Sequence, residues 1–381
     1  MTMWLMIMYV TLILTGSCLI YLCNRVSRFS FMSGRFLQNA KLKFSLSAVL
    51  VFAVFFVVGL VLNFINAIVC AIYFALCWLT VDFLFWVFDR FKILNFEKTN
   101  NLSGMVAIGL SLAVLCAGWY ADHHVWKTEY TFYSDKLSRD MKIVGFADSH
   151  IGTTFNAEGF AKHLAKIQEQ KPDVLIVAGD FVDDDTTKED MIAACKSLGT
   201  VKTTYGVYLV FGNHDKGYYG AAHRGFSGME LVDELEKNGV KVLFDETMLL
   251  ADDLYLIGRR DYSVKKEQRG KRASMEELTA NAEKSKFIFV ADHQPADYEN
   301  QAKAEVDLVF SGHTHGGQLF PFNQIGKWIG ANNLVYGHEK RNKTDFIVTS
   351  GISDWAIKFK TGTKSEYVVI NLLSRQNVSD R

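Results

Sequence analysis

Hydrophobic and polar positions divide the chain into two different textures. Up to about residue 121 the apolar runs are long and almost free of charge; beyond it they are short and each closes on a polar cluster. Met3 to Leu22, Phe44 to Leu62, Asn66 to Phe88 and Ser103 to Ala121 are each long enough to cross a bilayer as a helix. They predict an N-terminal multi-span helical membrane region, 1–121, with spans at 3–22, 44–62, 66–88 and 103–121. Trp119 and Tyr120 close the last run as an interfacial aromatic anchor would. The first run lacks a basic start and a small-residue cleavage site, which argues against a secretory signal.

Residues 122–140 read as a polar linker that enters an edge strand near Glu129–Tyr133, and 141–381 as a folded α/β domain. The runs Met141–Ala147, Val174–Ala178, Val207–Phe211, Phe287–Ala291 and Val306–Phe310 predict strands buried on both faces. Helical periodicity over 158–171, 186–198 and 229–238 alternates with the first of these, which argues for βαβ units. Short runs at 240–243, 247–250 and 254–257 suggest antiparallel pairing, and 346–350 and 367–372 closing strands. The expected architecture is two packed sheets, mixed parallel and antiparallel, flanked by helices.

Charge orients the membrane region. Arg25, Arg28, Arg35, Lys41 and Lys43 follow the first run, and Arg90, Lys92 and Lys98 follow the third. With both loops cytoplasmic, four crossings put the N-terminus and the folded domain on the non-cytoplasmic face of a plasma (inner) membrane, whereas a Ser103–Ala121 run that only lies on the membrane would leave the domain facing the cytoplasm. Asp82, inside the third run, reads as an interfacial charge with no deep partner. Five of the six cysteines lie in or beside the apolar runs, and Cys195 alone falls in the folded domain, which excludes an internal disulfide there. A net charge of zero offers nothing toward nucleic acid.

The chemistry sits at the strand ends. Asp148-Ser-His150, Gly179-Asp180, Gly212-Asn213-His214-Asp215, His293 and Gly312-His313-Thr-His315 each follow an apolar run. Any one of them alone is an ordinary turn; their shared topological position is what marks a site. The donors are oxygen and imidazole without thiolate, which suits Mn²⁺, Fe or Zn²⁺. Two such cations need a bridging anion, and Asp180 is central among the acidic fragments.

In order and in kind, these five blocks resemble the signature of the calcineurin-like metallophosphoesterases, over roughly Lys142–Leu372, and the extended Gly312–Gln318 form resembles their bacterial membrane-anchored branch. The resemblance implies a four-layer αββα sandwich and a dinuclear metal centre. It implies that Asp148, His150 and His315 hold one metal, that Asn213, His293 and His313 hold the other, and that Asp180 bridges. It implies attack on phosphorus by a water or hydroxide between two divalent metal ions, with His214 as acid and Asp215 orienting its imidazole. The stretch Ser350–Lys360 departs from the Gly-x-Gly…Arg segment of many relatives, which bears on how outer substrate groups are held.

The basic loop Arg259–Arg272 reads either as an anion-recognising rim or as a solvated charged loop. Phe320, Phe322 and Trp328 are candidates to cover an acyl chain. Tethering to a bilayer points to a phosphodiester or pyrophosphate of a lipid-linked or envelope substrate. The alternatives from other classes are a membrane metal or ligand sensor without turnover and a nucleic-acid phosphodiesterase. Oligomeric state is not encoded in any of these features.

Overall fold

A computed structural model of the chain describes residues 3–33, 39–92, 100–266 and 270–375. Arg35, Lys98 and Arg269, read above as basic loop residues, lie outside the described residues. The chain divides into two compact units, one of Met1–Trp119 with Ala356–Lys358, the other of Tyr120–Trp355 with Phe359–Arg381.

The first unit is built on four helices, α1 (Met3–Val26), α2 (Ala40–Val61), α3 (Phe64–Arg90) and α4 (Asn100–His123). All four contain a stretch long and apolar enough to cross a membrane. Val49, Phe52 and Leu60 of α2 are exposed, an arrangement suited to lipid rather than water. Asp82 differs from its sequence reading in having partners: Arg25 at the end of α1 forms an ion pair with it, and the Tyr21 hydroxyl donates to it at 2.6 Å. Helix α1 simply runs long enough to carry both groups alongside α3.

The second unit holds two six-stranded sheets. The first contains β1 (Val125–Ser134), β2 (Met141–Phe146), β3 (Val174–Ala178), β4 (Val207–Val210), β5 (Val240–Leu243) and β12 (Ser365–Ser374), in the order β1-β12-β2-β3-β4-β5. The second contains β6 (Glu246–Ala251), β7 (Leu254–Gly258), β8 (Phe287–Ala291), β9 (Leu308–Ser311), β10 (Gly337–Arg341) and β11 (Thr344–Val348), in the order β10-β11-β9-β8-β7-β6. Both sheets are mixed: β2-β3-β4-β5 and β7-β8-β9 run parallel, while β12-β2 and β6-β7 run antiparallel.

Strand alternation creates the layers. Leu175 and Val177 of β3 face the helices Ala157–Glu169, Lys188–Leu198 and Gly228–Lys237, while Val174, Ile176 and Ala178 face the second sheet. In β8, Phe287, Phe289 and Ala291 meet the first sheet, and Ile288 and Val290 pack under Met275, Leu278 and Tyr298. Burial on both faces is why these runs carry no polar alternation. The three helices over the first sheet each start at a side-chain cap: Asn156 accepts from the Gly159 amide, Thr187 from the Asp190 amide, and Ser227 forms a capping box with Glu230. The result is the expected four-layer αββα sandwich.

Two placements differ from the sequence reading. Strand β1 takes ten of the residues 122–140 read as a linker, because every second side chain of Val125–Ser134 turns inward and β12 pairs with it in parallel. Strand β5 joins β4 in parallel at the edge of the first sheet rather than pairing antiparallel with its successors, and the chain crosses to the second sheet between Leu243 and Glu246. Val240, Val242 and Leu243 bury on both sides of that edge.

Candidate metal centre

Five parallel strands deliver polar residues from their C-terminal ends: β2 gives Asp148 and His150, β3 Asp180 and Asp183, β4 Asn213, His214 and Asp215, β8 His293, and β9 His313 and His315. The backbone bends sharply there. Asp148, His150, Asp180, His313 and His315 have φ between 36° and 72°, where L-residues with side chains seldom sit. Each such residue costs on the order of 1–3 kcal/mol, a strain that concentrates at functional sites. Gly212 is required by close approach, since a Cβ would fall 2.1 Å from Asp180 Oδ1. At Gly312 a Cβ would fall 2.6 Å from Asp148 Oδ2.

The residues gather into overlapping groups: His150, Asp183 and His214 form one, and two others flank Asp180. Ligand atoms of Asp148, His150 and His315 lie within 4.8 Å of one another, and so do those of Asp180, His293 and His313. Asp180 Oδ2 stands between the groups, 3.1 Å from His293 Nε2 and 3.8 Å from His150 Nε2. Asn213 adds its Oδ1, 3.2 Å from His293 Nε2, and its Nδ2 donates to the Tyr218 hydroxyl at 2.8 Å. His293 Nδ1 donates to the Ala178 carbonyl at 2.7 Å, which fixes its tautomer and turns Nε2 toward Asp180. The Asp148 carboxylate accepts the His313 amide at 3.0 Å, and Asp180 Oδ1 accepts the His214 amide at 2.8 Å.

Burial sets the electrostatics. It pushes the Asp148 carboxyl up to about 6. Burial also works against the Asp180 carboxylate, but the charge and hydrogen bond of His293 hold it well below the usual range. His293 shows the counterpart: burial lowers it, and the Asp180 charge and hydrogen bond carry it well above an ordinary histidine. Burial, with the neighbouring His293 charge, takes His313 down to about 4.

The donor set fits divalent cations. His150 Nε2 and His315 Nδ1 are buried without a hydrogen-bond partner among the described residues, an expensive state for an imidazole nitrogen. A cation at the first group would satisfy His150 Nε2 and share the Asp148 carboxylate. Carboxylate, amide oxygen and imidazole are the donors that Mn²⁺, Fe and Zn²⁺ accept.

Every residue singled out at the strand ends is brought into this volume, but Asp215 is not placed as expected. The Asp215 carboxylate does not reach the His214 ring. It accepts the backbone amides of Gly212, Asp180, Phe181 and Val182 at 2.7–3.1 Å, because it turns back under the β3 and β4 ends. Asp183 holds the His214 ring instead, with Oδ1 3.2 Å from Nδ1, and its Oδ2 lies 3.1 Å from His150 Nδ1. Sequence reasoning missed Asp183. Its only signal is the spacing Asp180-x-x-Asp183, blurred by the acidic run Asp183-Asp184-Asp185.

The loops differ from simple rims. Arg224 is buried and donates to the Asp215 carbonyl at 2.7 Å, so it braces the turn that carries His214. His223 packs on the Tyr219 ring, with centroids 5.4 Å apart. Arg259 and Arg272, from the basic loop, are buried and clamp Asp292 and Asp297. In Ser350–Lys360, the buried Lys360 donates to the Ser350 and Ser353 carbonyls at 2.8 and 2.9 Å, and the Trp355 ring stands 5.3 Å from His214.

Residues 141–317 match the calcineurin-like phosphoesterase family. An uncharacterized metallophosphoesterase of Aquifex aeolicus is 31% identical over 196 residues, which cover 50% of this chain and 70% of that protein. The chain belongs to the calcineurin-like phosphoesterases. An uncharacterized metallophosphoesterase of Campylobacter jejuni is similar over a longer stretch, 29% identical over 295 residues, 74% of this chain and 73% of that protein. A transmembrane protein with metallophosphoesterase domain from Danio rerio is 27% identical over 245 residues, 62% of this chain and 53% of that protein. This calcineurin-like phosphoesterase is therefore a metal-dependent phosphoester hydrolase preceded by four apolar helices.

Proposed function

We propose that the chain is a membrane-anchored two-metal phosphoesterase that cleaves a phosphodiester or pyrophosphate bond of a lipid-linked substrate, with its catalytic domain on the non-cytoplasmic face of a plasma (inner) membrane. The observation that carries the catalytic part is the pair of ligand groups on either side of the Asp180 carboxylate, one of which holds buried imidazole nitrogens without a hydrogen-bond partner among the described residues. Asp148, His150 and His315 would hold one cation and Asn213, His293 and His313 the other, with the Asp180 carboxylate available to both. When bound, such cations lower the pKa of water and offset charge that grows on phosphoryl oxygens.

The chain's own residues supply the rest. Asp183 accepts a hydrogen bond from His214 Nδ1, which leaves Nε2 to protonate the leaving oxygen as general acid. Asp215 locks the Gly212–Asp215 turn onto Asp180–Val182 and so sets where Asn213 and His214 point. The Tyr218 and Trp355 rings flank His214, at 5.0 and 5.3 Å, and shield its proton from bulk water. Loop charge supports the orientation, and the bilayer tether supports a lipid-linked substrate through high local concentration.

The test is hydrolysis of bis(4-nitrophenyl) phosphate and 4-nitrophenyl phosphate by the full-length protein in lipid nanodiscs, with Mn²⁺ or with chelator. Metal-dependent turnover, faster on the diester and reduced by about 10²–10⁴ in His214→Ala, is expected. Protein that binds two metals and turns over neither ester is a sensor, not an enzyme. Digestion of a C-terminal tag in intact spheroplasts checks the orientation.

A further inference from the structure

A second cavity lies beside the metal centre and has no part in the scheme above. It encloses about 340 Å³ and is walled by Phe211, Met229, Phe244 and Val264. That volume lies in the range of small-molecule sites. Two connections join it to the metal centre. The Gly212 peptide forms part of its lining, one residue before Asn213. Asp261 forms another part; its carboxylate accepts both bonds of the Gln294 amide at 2.9 and 3.0 Å, and the same Gln294 nitrogen is 3.4 Å from Asn213 Oδ1.

The lining carries charges of both signs: Lys216 and Arg260 are cations, the Asp261 carboxylate is engaged by Gln294, and the Arg260 Nε lies 3.8 Å from Asp245 Oδ2. Lys216 and Arg260 line it, and both are exposed. The Arg260 guanidinium lies 5.7 Å from the centre of the Phe244 ring, so a cation tops an aromatic wall. The walls suit an aliphatic chain better than a nucleobase. Phe211 and Phe244 meet at 66° with centroids 5.1 Å apart, and so present no parallel slot for a flat ring. Met229 is an unbranched, adaptable side chain that conforms to a flexible chain. The Ser263 hydroxyl, also in the lining, has no hydrogen-bond partner among the described residues and is available to an ester carbonyl.

We propose that this cavity receives the acyl chain nearest the phosphate of a lipid phosphoester while the phosphate sits at the metal centre. This assignment rests on the phosphoesterase reading above and names the class of substrate for that same site: an anionic phosphoester with a hydrocarbon chain a few bonds from phosphorus. Arg260 and Lys216, at the boundary between the two compartments, would add positive charge beside the substrate's phosphate.

The experiment compares binding of methyl, butyl and octyl phosphate to full-length, Mn²⁺-loaded protein in nanodiscs, by titration calorimetry with empty nanodiscs as the blank. Affinity is expected to rise about fourfold per methylene, the equivalent of about 0.8 kcal/mol for each buried CH₂, until the cavity is filled. The octyl-to-methyl ratio should fall at least tenfold in Phe244→Ala and in Met229→Glu. Met229 is 66% exposed, so its substitution does not threaten folding. A chain-length dependence that is flat, or unchanged in both variants, overturns the proposal. So does thymidine 5′-monophosphate binding more tightly than octyl phosphate. Hydrolysis of bis(4-nitrophenyl) phosphate, measured in parallel, separates the two failures: turnover with flat chain-length dependence removes the acyl site alone, whereas chain-length discrimination without turnover removes the enzyme reading and leaves the cavity assignment standing.

Discussion

The two groups of candidate metal ligands on either side of Asp180 differ in how completely the protein builds them. Around Asp180, His293 and His313 the scaffold is finished: His293 is held at both nitrogens, by the Ala178 carbonyl and by Asp180, and Asn213 closes the set at 3.2 Å. Around Asp148, His150 and His315 it is not: among the described residues His150 Nε2 and His315 Nδ1 have no hydrogen-bond partner, and Asp148 carries a carboxyl raised to about 6 by burial. One group is organised by hydrogen bonds, whereas the other waits for positive charge. Preorganised donors bind with less reorganisation, so the Asp180–His293–His313 group should be the tighter site.

The change with the largest effect removes the distinction altogether. Asp180→Ala takes the shared carboxylate from both groups; kcat/KM for a diester should fall by about 10³ or more, with fewer than two metals per chain by mass spectrometry. Asp183→Asn acts on one side only. It weakens the hold on His214 and removes the carboxylate beside His150, so activity should drop about 10- to 100-fold, and cation affinity should decline in the Asp148–His150–His315 group alone. Graded chelation sharpens the contrast further. The first metal lost should be the one that His150→Ala also lacks, and loss in the opposite order would break the comparison.

The smallest effect uses a histidine outside both groups. His163, on the helix Ala157–Glu169, is taken down to about 4 by burial, helped by the charge of Lys166, and packs 5.0 Å from the Phe155 ring. Its folded pKa lies below its unfolded one near 6.5, so the fold favours the neutral ring. That contribution is complete above about pH 6.5 and is lost as the pH falls toward 4. His163→Leu should flatten this acid limb of thermal denaturation equally with and without metal, a response the ligating histidines should not share.

What the chain declared in advance follows from local chemistry. Strands buried on both faces announce themselves as unbroken apolar runs, and Gly212 and Gly312 mark the places where backbone must pass a carboxylate, so the two-sheet core and the strand-end cluster were legible. What stayed hidden depends on partners far along the chain. Arg259 and Arg272 look like a solvated rim until Asp292 and Asp297 arrive to bury them. Asp183 and Asp215 could not be told apart, because both follow a strand closely and only the fold decides which carboxylate turns toward an imidazole and which toward backbone amides. The pairing of β1 with β12 joins residues about 240 positions apart, beyond the reach of any pattern along the sequence.

That pairing also fixes a sequence of events. Strand β12 lies between β1 and β2, and β1 has no other neighbour in the sheet. A nascent chain thus holds β1 without a partner strand until Ser365–Ser374 has been made and has paired with it. A chain that lacks that strand would lose the element that joins β1 to β2 and would keep an open, adhesive sheet edge.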